Sequence, residues 1–141
     1  MDYEKIDLTN EGIKTMLTIF LIINILNLLS FIYPENKLHL IYPDNIITMA
    51  KVFLFLIISY IVYTYYLVNR KNIYGYYLSL LLSLLIIFSA FVLEYDNFFS
   101  LAVRNIASSY NGYPNPIVLI FGFILLYLSA KSIKNSKISY I

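Results

Sequence analysis

Long apolar runs alternate with short polar separators along the whole chain. The runs cover residues 15–33 (TMLTIFLIINILNLLSFIY), 46–69, 73–93 and 116–133 (PIVLIFGFILLYLSAKSI). A helix needs about 20 residues, at about 1.5 Å each, to cross about 30 Å of hydrocarbon. The first three runs meet that length. The fourth is near the lower limit before Lys131, and lysine snorkelling closes the gap. The pattern predicts an all-α, polytopic membrane protein: one domain, residues 1–141, with four transmembrane helices in an up-down bundle.

The separators fit that reading. Pro34 and Pro43 bracket a polar loop, Asn69-Arg70-Lys71-Asn72 is a tight charged turn, and Pro116 is well placed at a helix start. Between the third and fourth runs, residues 97–110 put Phe98, Phe99, Val103 and Ile106 on one half of a helical wheel. Ser100, Arg104 and Asn105 fall on the other half, which predicts a short interfacial helix lying on the outer leaflet. The first run is expected to be retained and not cleaved as a signal peptide, because its upstream segment holds Asp2, Glu4, Asp7 and Glu11 against Lys5 and Lys14.

Composition sharpens the class. Hydrophobic residues make up 60% of the chain and charged residues 13%, against about 45–50% and about 25% in soluble domains. That excludes a soluble globular domain and a disordered chain together. Cysteine is absent and histidine occurs once, at His39, so thiol catalysis, Fe–S clusters and a bis-imidazole site have no ligands within the chain. No metal or cofactor is expected.

Lysine and arginine set the orientation. Lys5, Lys14, Arg70, Lys71, Lys131, Lys134 and Lys137 make seven on one side, against Lys37, Lys51 and Arg104 on the other. By the positive-inside rule both termini and the Arg70–Lys71 turn are cytoplasmic, in a multi-pass protein of the cell membrane. Tyrosines read as two aromatic belts: Tyr63, Tyr65, Tyr66, Tyr74, Tyr76 and Tyr77 at the inner ends, and Tyr33, Tyr42, Tyr95, Tyr110 and Tyr113 at the outer ends.

Function in such a chain is sought among the polar residues at membrane depth. Asn24 falls near the midplane with Asn27 one turn outward, and Ser59 and Ser83 fall at the middle of their own spans. These are read as intramembrane polar packing contacts. Gly75, Ser79, Ser83 and Ala90 form a small-residue stripe that makes the third span the expected centre of packing. Lys51 is the one formal charge well inside a span, with Glu94 as its candidate partner.

No midplane acid, phosphate loop or serine elbow is present, so the chain is not expected to be an enzyme by itself. Nucleic-acid binding is not expected either, since the inner cations are spread over three short segments. The leading reading is a non-catalytic accessory subunit of a larger membrane complex, of the kind found in respiratory or other redox assemblies, with the bilayer and other integral-membrane subunits as partners. Span count and length are similar to those of small quinone-linked four-helix proteins of the DoxX kind, but the glycine-rich first helix with charged flanks is missing. A self-associating channel or transporter lined by Asn24, Asn27, Ser59 and Ser83 is the second reading. A membrane-shaping or viral envelope protein is the third.

The orientation is testable with cysteines introduced at Ser136 and Asn36. In intact cells an impermeant thiol reagent should label position 36 and leave position 136 protected; the reverse pattern overturns the assignment.

Overall fold

The computed structural model of the chain describes residues 2–32, 43–91 and 115–138. Four helices occupy them: α1 Asp2–Ile32, α2 Asp44–Asn69, α3 Ile73–Ser89 and α4 Pro116–Ile138. No strand occurs among the described residues.

Local chemistry explains the helix ends. Pro43 precedes α2 and its carbonyl accepts from the Ile46 and Ile47 amides at 3.1 and 3.2 Å. Asp44 then places a negative charge in the first turn, where the helix dipole favours it. Asn115 caps α4, its Oδ1 accepting from the Ile117 amide at 3.0 Å, and Pro116 supplies a preset φ at the first helical position. Between α2 and α3 the chain reverses in three residues. Lys71 takes φ 54°, the left-handed value that ends a helix, and the Asn72 amide bonds back to the Leu67 carbonyl at 3.0 Å. The Asn72 side chain then starts α3 by accepting from the Tyr74 amide at 3.0 Å.

Each helix packs on its neighbours in sequence, and α4 closes the ring against α1. Adjacent helices are antiparallel. Phe20 of α1 stacks on Phe121 of α4 with ring centroids 6.1 Å apart, while nearer the α2–α3 turn Gly12 meets Leu128. A core of Ile13, Leu17, Ile61, Leu82, Ile86 and Leu125 fills the middle of the bundle, and Phe31, Ile47, Ala50 and Leu54 form a second cluster between α1 and α2.

The outside of the bundle is as apolar as its core. Leu26, Phe55, Leu56, Phe88, Ile117 and Phe123 are each more than half exposed. Leu8–Phe31, Asp44–Asn69 and Pro116–Lys137 are long and apolar enough to cross a membrane, yet less than a third of an 18-residue apolar stretch in each is buried inside the molecule. Water does not tolerate an apolar surface of that extent, and hydrocarbon does. The chain is a membrane-embedded helical protein.

Three boundaries differ from the sequence reading by four residues or more, the first being that α4 continues past 133 to Ile138. Helix α1 begins at Asp2 and not at residue 15, and Thr9, Asn10 and Ile13 ahead of the apolar run are buried in the bundle. Helix α3 ends at Ser89, giving 17 residues, or about 25 Å. Its last turn tightens: the Ala90 amide is shared between the Ile86 and Ile87 carbonyls, and the Phe91 amide reaches the Phe88 carbonyl, an i−3 bond. The third span as read from the sequence, 73–93, runs at its end into residues outside those described. The interfacial helix expected at 97–110 lies outside them entirely.

Gly75 sets the closest approach between α2 and α3. A Cβ there would stand 2.7 Å from the Val68 backbone nitrogen and 2.8 Å from the Leu67 carbonyl carbon. Backbone cannot swing aside as a side chain can, so Gly75→Ala should lower unfolding stability in detergent by about 1–3 kcal/mol. Gly12→Ala meets only the Leu128 side chain, at 3.1 Å, and should cost less. Equal midpoints for the two variants in a denaturing-detergent titration would contradict this.

Candidate functional site

The polar residues inside the bundle gather at two levels. The first lies toward the end that carries the Arg70–Asn72 turn. There α1 contributes Thr9 and Asn10, α2 Thr64, α3 Tyr76 and Ser79, and α4 Ser129 and Ser132, all buried. The Tyr76 hydroxyl donates across the bundle to Asn10 Oδ1 at 3.1 Å. Ser79 and Ser129 meet Oγ to Oγ at 2.7 Å.

The serine pair has a definite proton count. Ser79 Oγ also lies 2.9 Å from the Tyr76 carbonyl, and Ser129 Oγ lies 2.7 Å from the Leu125 carbonyl. Two hydroxyl protons serve three contacts. One hydroxyl therefore donates to its own helix while the other donates across the interface. On the next interface Tyr60 of α2 reaches the Leu78 carbonyl of α3 at 2.6 Å. At the same end of the molecule, Lys14 pairs with Glu11 at 2.5 Å and lies 3.5 Å from Asn69 Oδ1.

The second level is a small cleft between α1, α2 and α3 in the opposite half. Phe20 and Asn24 line it from α1, Leu54 and Ile57 from α2, and Leu85 and Ser89 from α3. Its volume is about 20 Å³. Asn24 is only 2% exposed, and its Nδ2 donates to the Phe20 carbonyl of its own helix at 2.7 Å. Ser89, 4% exposed, donates to the Ile86 carbonyl at 2.7 Å.

The residues singled out from sequence scatter over these surroundings. Asn24 and Asn27, three apart on one face of α1, are both buried. Gly75, Ser79, Ser83 and Ala90 are buried on α3, where Gly75 meets α2 and Ser79 meets α4. Ser59 faces outward and closes its hydroxyl on the Phe55 carbonyl at 2.9 Å. A serine satisfied within its own helix is free to face lipid, and Ser59 takes no place in the interior. Asn24 and Ser83 do not share a depth. The Ser79–Ser129, Phe20–Phe121 and Gly12–Leu128 pairs bring Ser83 level with α1 about eight residues before Asn24, about 12 Å along the axis.

Lys51 is partly buried on α2, and Glu94 lies outside the described residues, as do His39 and Arg104. Tyr76 is an interior residue at 2% exposed, not a belt residue, whereas Tyr63, Tyr66 and Tyr74 face outward. Thr9, Asn10, Thr64, Ser89, Ser129 and Ser132 are the interior polar groups, among the described residues, that the sequence reading does not single out. Asn10 sat in an apparently solvated lead-in, and single hydroxyls inside apolar runs carry no periodic signal. Among the described residues no three His, Asp or Glu side chains stand close enough to hold a metal ion.

No protein-family model, curated protein or solved structure matches the chain.

The serine contact is open to a double-mutant cycle. Ser79→Ala and Ser129→Ala should show a coupling of about 0.6 kcal/mol, and at most about 1.7 kcal/mol, when unfolding is followed in mixed micelles. Strictly additive losses would mean that the two hydroxyls do not share a hydrogen bond across the interface.

Proposed function

We propose that this chain is a small, non-catalytic integral-membrane subunit that packs against other membrane helices in a larger assembly. The observation that carries the reading is its inside-out distribution of polarity. The interior hydrogen bonds close on one another or on their own helices, as at Tyr76–Asn10 and Ser79–Ser129. The outward surface is apolar and aromatic, with Phe55, Phe88, Phe91 and Tyr127 all more than half exposed. In such a bundle most of the interior hydrogen bonding serves to hold the helices together, and the outer surface is what it offers to neighbours. In this reading all four helices cross the membrane, and both termini and the Arg70–Lys71 turn are cytoplasmic. The 17-residue α3 is then the short member, matched by local thinning or by a neighbouring helix laid along it.

The channel reading gains nothing from the geometry. Its lining would have to run through Asn24, Asn27, Ser59 and Ser83, and Ser59 faces out of the bundle.

Purification from native membranes in mild detergent tests the proposal. Other membrane subunits, redox proteins among them, are expected to co-migrate in fixed stoichiometry. Recovery of the chain alone, or as a homo-oligomer that conducts solute when reconstituted into vesicles, would overturn it.

A further inference from the structure

We propose that the cleft between α1, α2 and α3 is a binding site for one hydroxyl group, held by the side-chain amide of Asn24. An amide carries two N–H donors and a carbonyl oxygen with two lone pairs. Asn24 gives one N–H to the Phe20 carbonyl at 2.7 Å. Among the described residues nothing takes its second N–H or donates to its Oδ1, although the residue is 98% buried, at 2% exposed. An amide left in that state in apolar surroundings is costly, by several kcal/mol in hydrocarbon. The cleft beside it has a volume of about 20 Å³, and a cavity of roughly 10–15 Å³ is enough to hold one water.

The chemistry of the lining selects the occupant. Ser89 has committed its proton to the Ile86 carbonyl at 2.7 Å, so toward the cleft its oxygen only accepts. Within a largely apolar lining, the two polar residues that border the cleft hold one uncommitted donor, the second Asn24 N–H, and two acceptors, Asn24 Oδ1 and Ser89 Oγ. A hydroxyl both donates and accepts: its oxygen takes the N–H, and its proton goes to one of the two acceptor oxygens, the second being reached only by the second proton of a water. A ketone oxygen accepts only and leaves Oδ1 unmet. A carboxylate or an ammonium would bury a charge against Phe20, Leu54, Ile57 and Leu85 with no counter-ion. Two sources supply a hydroxyl here: a water molecule, or the head of an alcohol dissolved in the bilayer whose chain lies along the apolar lining.

The test uses the full chain, isotope-labelled, in deuterated micelles. Cross-relaxation between the Asn24 side-chain amide protons and the water resonance identifies bound water. Saturable shifts of Asn24 and Ser89 on adding n-decanol, with no such shifts on adding decane, identify the alcohol. Either result supports the site. Asn24→Leu is expected to abolish the Ser89 shifts on adding n-decanol, while in the water arm Ser89→Ala is the variant that is read. Ser89→Ala, a smaller change that keeps the packing, is expected to weaken whichever response the wild type gives about threefold, the equivalent of one contact of about 0.6 kcal/mol. Absence of both responses in the wild type overturns the proposal, as do equal effects of decane and decanol or an unchanged response in each variant that is read.

Discussion

A polar side chain inside hydrocarbon has no water to return to, and this constraint governs where each such residue sits in the bundle. A hydroxyl meets it cheaply. Its single proton goes to a carbonyl three or four residues back, as Thr64 does to Tyr60 at 2.8 Å, Ser83 to Leu80 at 2.6 Å and Ser59 to Phe55 at 2.9 Å. A serine so closed is indifferent to which face it occupies, and Ser59 and Ser83 lie on opposite kinds of surface. An amide is different. Its own helix takes one N–H and leaves the rest, so Asn10 is tied across the bundle by Tyr76 and Asn24 borders the cleft.

Close approach of the backbones is the second requirement, and glycine meets it at three interfaces of the ring. Gly12 lies against Leu128 between α1 and α4, Gly75 against the backbone of Leu67 and Val68 between α2 and α3, and Gly122 against Ile87 between α4 and α3. The fourth interface, α1 with α2, uses fully buried Ala50 beside Phe31 instead. Without a hydrophobic drive between helices already bathed in hydrocarbon, fit at these points supplies much of the cohesion. The Ser79–Ser129 and Tyr60–Leu78 bonds sit within the same tight contacts.

Much of this was legible in the sequence, because run length and separator chemistry act locally. The apolar run at 46–69 nearly coincides with α2, Asp44–Asn69, and Pro116 does begin α4. The small residues of α3 are buried, but a stripe on one helix names no partner, and the division between α2 at Gly75 and α4 at Ser79 emerges only from the packed ring. Helix phase is the other blind spot. Counting residues from a span end gives depth, not direction, so nothing in the sequence turned Ser59 outward or Tyr76 inward. Asn10 illustrates a third failure. Its neighbours Asp7 and Glu11 gave the segment a solvated character, while its own side chain was bound to a tyrosine 66 positions away.

The three-residue reversal at Arg70, Lys71 and Asn72 has a consequence for how the molecule is made. At about 3.3–3.6 Å per extended residue, so short a link keeps the start of α3 beside the end of α2 at every moment after synthesis. The facing ends of the two helices are never free to diffuse apart. The search for the Gly75 contact is therefore confined to the small volume that the link allows. For assembly of the bundle, α2 and α3 thus count as one tethered unit, which α1 and α4 join over longer connections.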